Sequence, residues 1–200
     1  MPLFTCRRFV LRVALGVFAV SASGGAVWAA DAGELIQNVA KEVIELIKAK
    51  AGPERQAGIK NVLETSFDLA FMGRSALATH WNSADEEQRT RFLKAAATAE
   101  ARAYSERFGQ YAGQTLVVGR VTNRANGVTI VDSRLNQASG EPIKIEWEVR
   151  DTGQGLRITD VKIEGVSMVF TRRSDFNSYI QSHGGKVEPL IEELEARAKR

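Results

Sequence analysis

The chain has 200 residues with 27 Lys+Arg against 24 Asp+Glu, which is enough for one domain. The surplus of positive charge belongs to the N-terminus: Arg7, Arg8 and Arg12 face no acid before Asp31, so the remainder is formally neutral. The overall positive charge therefore argues for neither a nucleic-acid nor an anionic-membrane partner, and no nucleic acid is expected as one. The only cysteine, Cys6, lies in the same segment, so the rest has no disulfide, thiolate metal site or cysteine nucleophile.

Met1 to Ala29 reads as a secretory signal. The three arginines form its positive region. Val13 to Val20 is an apolar run broken only by Gly16, and Val27-Trp28-Ala29 offers a cleavage site. The run is well short of the roughly 20 residues that a membrane span needs. Residues 30–200 are then expected as a single mature domain of roughly 170 residues, able to hide about two-thirds of its unfolded surface.

A first helix is expected over Glu34 to Lys50, where Leu35, Ile36, Val39, Ala40, Val43, Ile44 and Ile47 form one stripe. Gly52-Pro53 ends it and starts a second helix, over Glu54 to Thr65. A third covers Phe67 to Leu77. Ser83, with Glu86 three residues on, reads as the capping box of a long fourth helix reaching Phe108.

From Gln114 the pattern changes to strands. Leu116 to Val121 and Val128 to Leu135 flank Asn126-Gly127, a strong hairpin signal. Ile143, Ile145, Trp147 and Val149 alternate with Lys144, Glu146, Glu148 and Arg150, which describes a strand with one wet and one apolar face. In the next strand Leu156 and Ile158 are out of phase with Val161 and Ile163, so a bulge is expected near Thr159–Asp160. Helices over Ser167 to Ser182 and Val187 to Ala198 follow, divided by Gly184-Gly185. The order predicts an α+β fold: a four-stranded antiparallel meander with helices on its apolar face.

The catalytic inventory is thin. His80 and His183 stand alone, and His183 suits a helix C-terminus. No nucleophile elbow, phosphate loop, dinucleotide fingerprint or metal-ligand spacing occurs. Asp160 is expected to satisfy backbone donors at the bulge. The fourth helix carries Leu93, Ala97, Tyr104, Phe108 and Tyr111 on one stripe beside many alanines. Small side chains opposite a sheet lined with Ile, Val and Trp admit two readings: close packing, or an unfilled apolar cavity that prefers an acyl chain to water.

Several local patterns resemble the MlaC, or toluene-tolerance, family of periplasmic phospholipid-binding proteins of the Mla pathway. They are Phe67-Asp68 with Met72-Gly73-Arg74 and Leu77, then His80-Trp81, Asp85-Glu86-Glu87-Gln88-Arg89 with Phe92, and Ala103-Tyr104 with Phe108, Tyr111 and Gly113. The most specific is Thr159-Asp160-Val161-Lys162-Ile163-Glu164-Gly165-Val166-Ser167-Met168-Val169, with Arg173 and Phe176 beyond it. Leu156 stands where such proteins often carry Trp. The resemblance implies a nuclear-transport-factor-like cone holding acyl chains between helices and sheet. It implies a non-enzymatic periplasmic shuttle without cofactor or metal. Its partners would be phospholipid, an inner-membrane ABC transporter complex with an MCE-domain protein, and an outer-membrane lipoprotein–porin complex.

On that reading the lipid-lining residues are Phe71, Leu77, Leu93, Tyr104, Phe108, Ile130, Ile145, Trp147, Val149, Ile158, Val161, Ile163, Val166 and Met168. Arg74, Arg172 and Arg173 are the candidates for the head group or a docking partner. The alternatives are a hopanoid or other lipid cargo, an enzyme using Asp160 or His80 as base, and an interaction module with a filled core.

Overall fold

The structure, a computed structural model, describes residues 24–108 and 111–199. Most of the expected signal, Met1 to Ala29, therefore lies outside the described residues.

Helix α1 (Gly24–Ala49) begins ten residues before the expected start, because nothing in the alanine-rich segment around Ala29 and Ala30 breaks a helix. Helix α2 (Gly52–Ser66) follows, with Gly52 at φ 52° and Pro53 in the tolerated first turn. Phe67 and Asp68 belong to no helix. Phe67 bridges to Ile158, and the Asp68 N–H donates to the Ile158 carbonyl at 2.9 Å. The Asp68 carboxylate then accepts from the Phe71 N–H at 2.9 Å and caps α3 (Leu69–Leu77).

A one-turn helix, α4 (His80–Ser83), precedes α5 (Glu86–Phe108). Ser83 lies inside α4 and donates to the His80 carbonyl, so it cannot cap the long helix. The capping box is Asp85–Gln88: each side chain accepts from the other's backbone N–H, at 2.8 and 3.2 Å.

The sheet has strands β1 (Thr115–Asn123), β2 (Val128–Asn136), β3 (Ile143–Asp151), β4 (Leu156–Ile163) and β5 (Val166–Ser167). They are antiparallel and spatially in chain order. That makes five strands rather than four, since a turn at Glu164-Gly165 folds two residues back on β4. Two bulges bend the sheet. In β1 the register slips between Val118 and Val121, and in β4 Thr159 is the extra residue between pairs Glu148–Asp160 and Val149–Ile158. The second is the bulge expected from the phase slip. It restores Val161 to the face of Ile158.

Ser167 caps α6 (Met168–Ser182), its hydroxyl accepting from the Phe170 N–H at 3.0 Å. Helix α7 (Glu188–Lys199) lies on α5, joined by Arg91 to Glu188 at 2.6 Å and to Glu195 at 2.9 Å.

The buried side chains form two clusters. Helices α3, α5, α6 and α7 enclose Leu77, Phe92, Phe176, Ile180, Leu190, Ile191 and Leu194. The other cluster lies between the sheet and α1 and α2: Ala32, Ile36, Val39 and Val62 meet Val131, Val149 and Ile158. The alternating strands and the apolar stripe of α1 require this second cluster. How the two clusters meet decides the site.

Candidate functional site

They do not meet throughout. Between them lies a cavity of about 560 Å³, within the usual range for small-molecule sites. One wall is the outer half of α1 and α2, with Val43, Ile44, Ile47, Ile59 and Leu63. Helices α3, α5 and α6, with Met72, Leu93, Ala96, Phe108 and Met168, line the cavity as well, α5 packing directly on α2. The roof is the sheet end carrying Leu116, Leu135, Ile145, Trp147, Val161 and Ile163. The Trp147 indole N–H donates to the Ser133 hydroxyl at 2.8 Å, and that hydroxyl donates on to the Ile145 carbonyl at 3.2 Å. The Trp147 indole N–H is thus satisfied, and most of the lining is apolar.

Small residues keep the space open. Ala96 and Ala97 of α5 and Ala76 and Gly73 of α3 face the cavity. A Cβ on Gly73 would sit 2.4 Å from the Leu93 Cδ2, so a glycine lets α3 approach α5 there.

The rim is polar. Glu100, Arg107, Gln114, Gln137, Thr171 and Arg172 line the cavity where it reaches solvent. The Arg172 guanidinium forks onto the Glu100 carboxylate, with Nη2 at 2.9 Å from Oε2, and this hydrogen bonding raises its pKa further above the ordinary arginine value. Burial, with a contribution from Glu100, pushes the Tyr104 phenol up, so it remains protonated at neutral pH.

Eight of the fourteen residues expected to line a lipid site surround this cavity: Leu93, Tyr104, Phe108, Ile145, Trp147, Val161, Ile163 and Met168. The other six stand elsewhere. Leu77 is buried in the helical cluster, and Val149 and Ile158 are buried in the sheet-side cluster against α1. Ile130 pairs with Glu148 while its neighbour Val131 pairs with Trp147, so Ile130 is on the opposite face of the sheet. Phe71 and Val166 are exposed, Phe71 beneath the Arg150 guanidinium at 5.4 Å.

Of the three arginines, Arg172 is at the rim and Arg74 is away from it. Arg173 donates to the Ser75 carbonyl at 2.9 Å and ties α6 to α3. The lining from α1 and α2 was missed, although its signal was present. The α1 stripe is two residues wide, more than one core contact needs, and Ala40, Val43, Ile44 and Ile47 turn to the cavity while Ile36 turns to the core.

The acid–base candidates are engaged elsewhere. Asp160 Oδ1 accepts from the N–H groups of Val161 at 2.8 Å and Val169 at 3.2 Å. His80 Nε2 lies 3.0 Å from Asn177 Oδ1, and His183 closes α6, stacked on Tyr179. Among the described residues no group of three or more His, Cys, Asp or Glu side chains could hold a metal ion. No described helix is long and apolar enough to cross a membrane.

Residues 37–196 match the family model described as MlaC protein. Among solved structures, the chain is similar in fold to a phospholipid-binding protein from Ralstonia solanacearum, determined in complex with a phospholipid. The TM-score is 0.70 at 21% sequence identity, covering 84% of this chain and 97% of that one. A search of curated proteins gave no match.

Proposed function

The chain belongs to the MlaC protein family, and from that premise we propose that it is a carrier of phospholipid, with the acyl chains in the cavity and the head group at the rim. The observation that carries the reading is the apolar cavity left open between two otherwise closed clusters. Each CH₂ moved there from water contributes about 0.8 kcal/mol, on the order of 10 kcal/mol for a long acyl chain. The phosphate stays at the polar rim, because burying an unpaired charge is costly. The similar Ralstonia protein, solved with a phospholipid, supports the same cargo class.

The reading is of a binding protein rather than an enzyme, and the engagement of Asp160 with two backbone N–H groups favours it. Met1–Ala29 acts as the export signal, and residues 30–200 work in the periplasm. There the protein passes lipid between an outer-membrane lipoprotein–porin complex and an inner-membrane ABC transporter with its MCE-domain protein.

Native mass spectrometry of the protein purified without detergent tests the carrier reading. The expected spectrum shows added mass that organic extraction identifies as phospholipid. A bare polypeptide mass, with no phospholipid in the extract, overturns it.

A further inference from the structure

Where the cavity opens, Glu100, Arg107 and Arg172 line it with the Tyr104 phenol, and Asp175 is hydrogen-bonded to Arg172. Arg172 and Glu100 both line the cavity, and their side chains are 36% and 28% exposed, so they stand at its edge. Arg172 is held on two sides, by the fork onto Glu100 and by Nη1 donating to Asp175 Oδ2 at 3.2 Å. Arg107 is exposed and lines the same rim. Tyr104, one turn before it, stacks on Phe108 at 5.9 Å and lies within the fields of Glu100, Arg172 and Arg107. Its hydroxyl has no hydrogen-bond partner among the described residues. A phenol with a free donor, on a cavity wall shared with two guanidinium groups, suits an oxyanion.

The geometry points to a head-group site in which Arg107, Arg172 and the Tyr104 hydroxyl take the phosphodiester. Glu100 makes that site select a zwitterionic head group over a net-anionic one. The inference rests on the cavity being a phospholipid site and adds the class of lipid.

Charge matching carries it. The rim's two arginines are answered by Glu100 beside them and by Asp175 hydrogen-bonded to Arg172, so these four charges sum to zero. A head group bearing phosphate and ammonium is neutral too, and each of its charges finds an opposite: the phosphate at the guanidinium groups, the ammonium at Glu100. A phosphatidylglycerol head brings one negative charge beside Glu100 and no cation to answer it, a like-charge juxtaposition that costs affinity. Asp175 lies farther out than Glu100, with its side chain 57% exposed, and is more strongly screened. Glu100 is therefore the discriminating group.

The test loads delipidated protein from vesicles of equimolar phosphatidylethanolamine and phosphatidylglycerol with identical acyl chains. Native mass spectrometry then reads the ratio of the two lipids in the bound fraction. Wild type is expected to hold phosphatidylethanolamine in excess. Glu100→Gln moves the ratio toward phosphatidylglycerol by about threefold to fivefold, as for a partly exposed ion pair. Arg107→Gln, an exposed position whose loss does not threaten the fold, moves it the other way. Bound lipid with the same ratio in all three proteins overturns the inference and leaves the carrier reading standing. No bound lipid in any of them overturns the carrier reading itself.

Discussion

At the scale of single residues, Asp160 shows how a side chain that resembles a catalytic acid earns its place by architecture. The Thr159 bulge removes one residue from the ladder, and the backbone beyond it needs an acceptor. Asp160 Oδ1 supplies it to Val161 and, from the same oxygen, to Val169 in the first turn of α6, where a negative charge also suits the helix N-terminus. One carboxylate thus joins β4 to the helix that carries Arg172. Asp160→Ala leaves two part-buried donors without a partner, at about 1–3 kcal/mol. Urea unfolding should show a lower midpoint at unchanged slope, with phospholipid still bound to the folded fraction. Loss of lipid without loss of stability would place Asp160 in the site after all.

At the scale of elements, β3 separates what a pattern specifies from what packing decides. Alternation puts Ile145, Trp147 and Val149 on one face, and they are on one face. It does not say what stands opposite each. Val149 belongs to the closed sheet-side cluster and is fully buried, whereas Trp147, two residues earlier, lines the cavity. The bulge at Thr159 was legible because a phase slip is itself a change in the pattern. The position of the capping box was not, because Ser83 and Asp85 both make credible caps, and the one-turn helix that takes up Ser83 leaves no periodic trace. A two-residue strand such as β5 is shorter than any period and invisible for the same reason. The two positions on the sheet face make a paired prediction. Ile163→Trp, at the rim and 37% exposed, adds an indole where there is room; phospholipid per folded molecule should fall while the urea midpoint holds. Val149→Trp overfills a closed cluster, costing about 1–3 kcal/mol or more, and should lower the midpoint while the folded fraction keeps its lipid. Phosphorus analysis of the folded fraction beside urea curves reads both. Equal lipid loss in the two variants would mean that the cavity boundary is misplaced.

At the scale of the whole molecule, the division of the core sets both stability and exchange. A filled interior would join the helical cluster to the sheet-side cluster through side-chain contact. Here the two are joined around the cavity through the packing of α2 on α5, Phe67, α3 and the Asp160 bond to α6. A guest that binds the folded state alone stabilises it by about 2.7 kcal/mol at a hundred times its Kd. For a domain near 170 residues each kcal/mol moves Tm by about 2–4 °C, so loading should raise Tm by about 5–10 °C over delipidated protein in calorimetry. The gain should also be local. Amide exchange is expected to slow on loading in the cavity walls, at Val43 to Ile47 and Ala96 to Phe108. Leu190 to Leu194, inside a cluster that is closed with or without lipid, should change little. Slowing of equal size at all three segments would show that the clusters open together, and the cavity would then be one compliant core rather than a gap between two rigid ones.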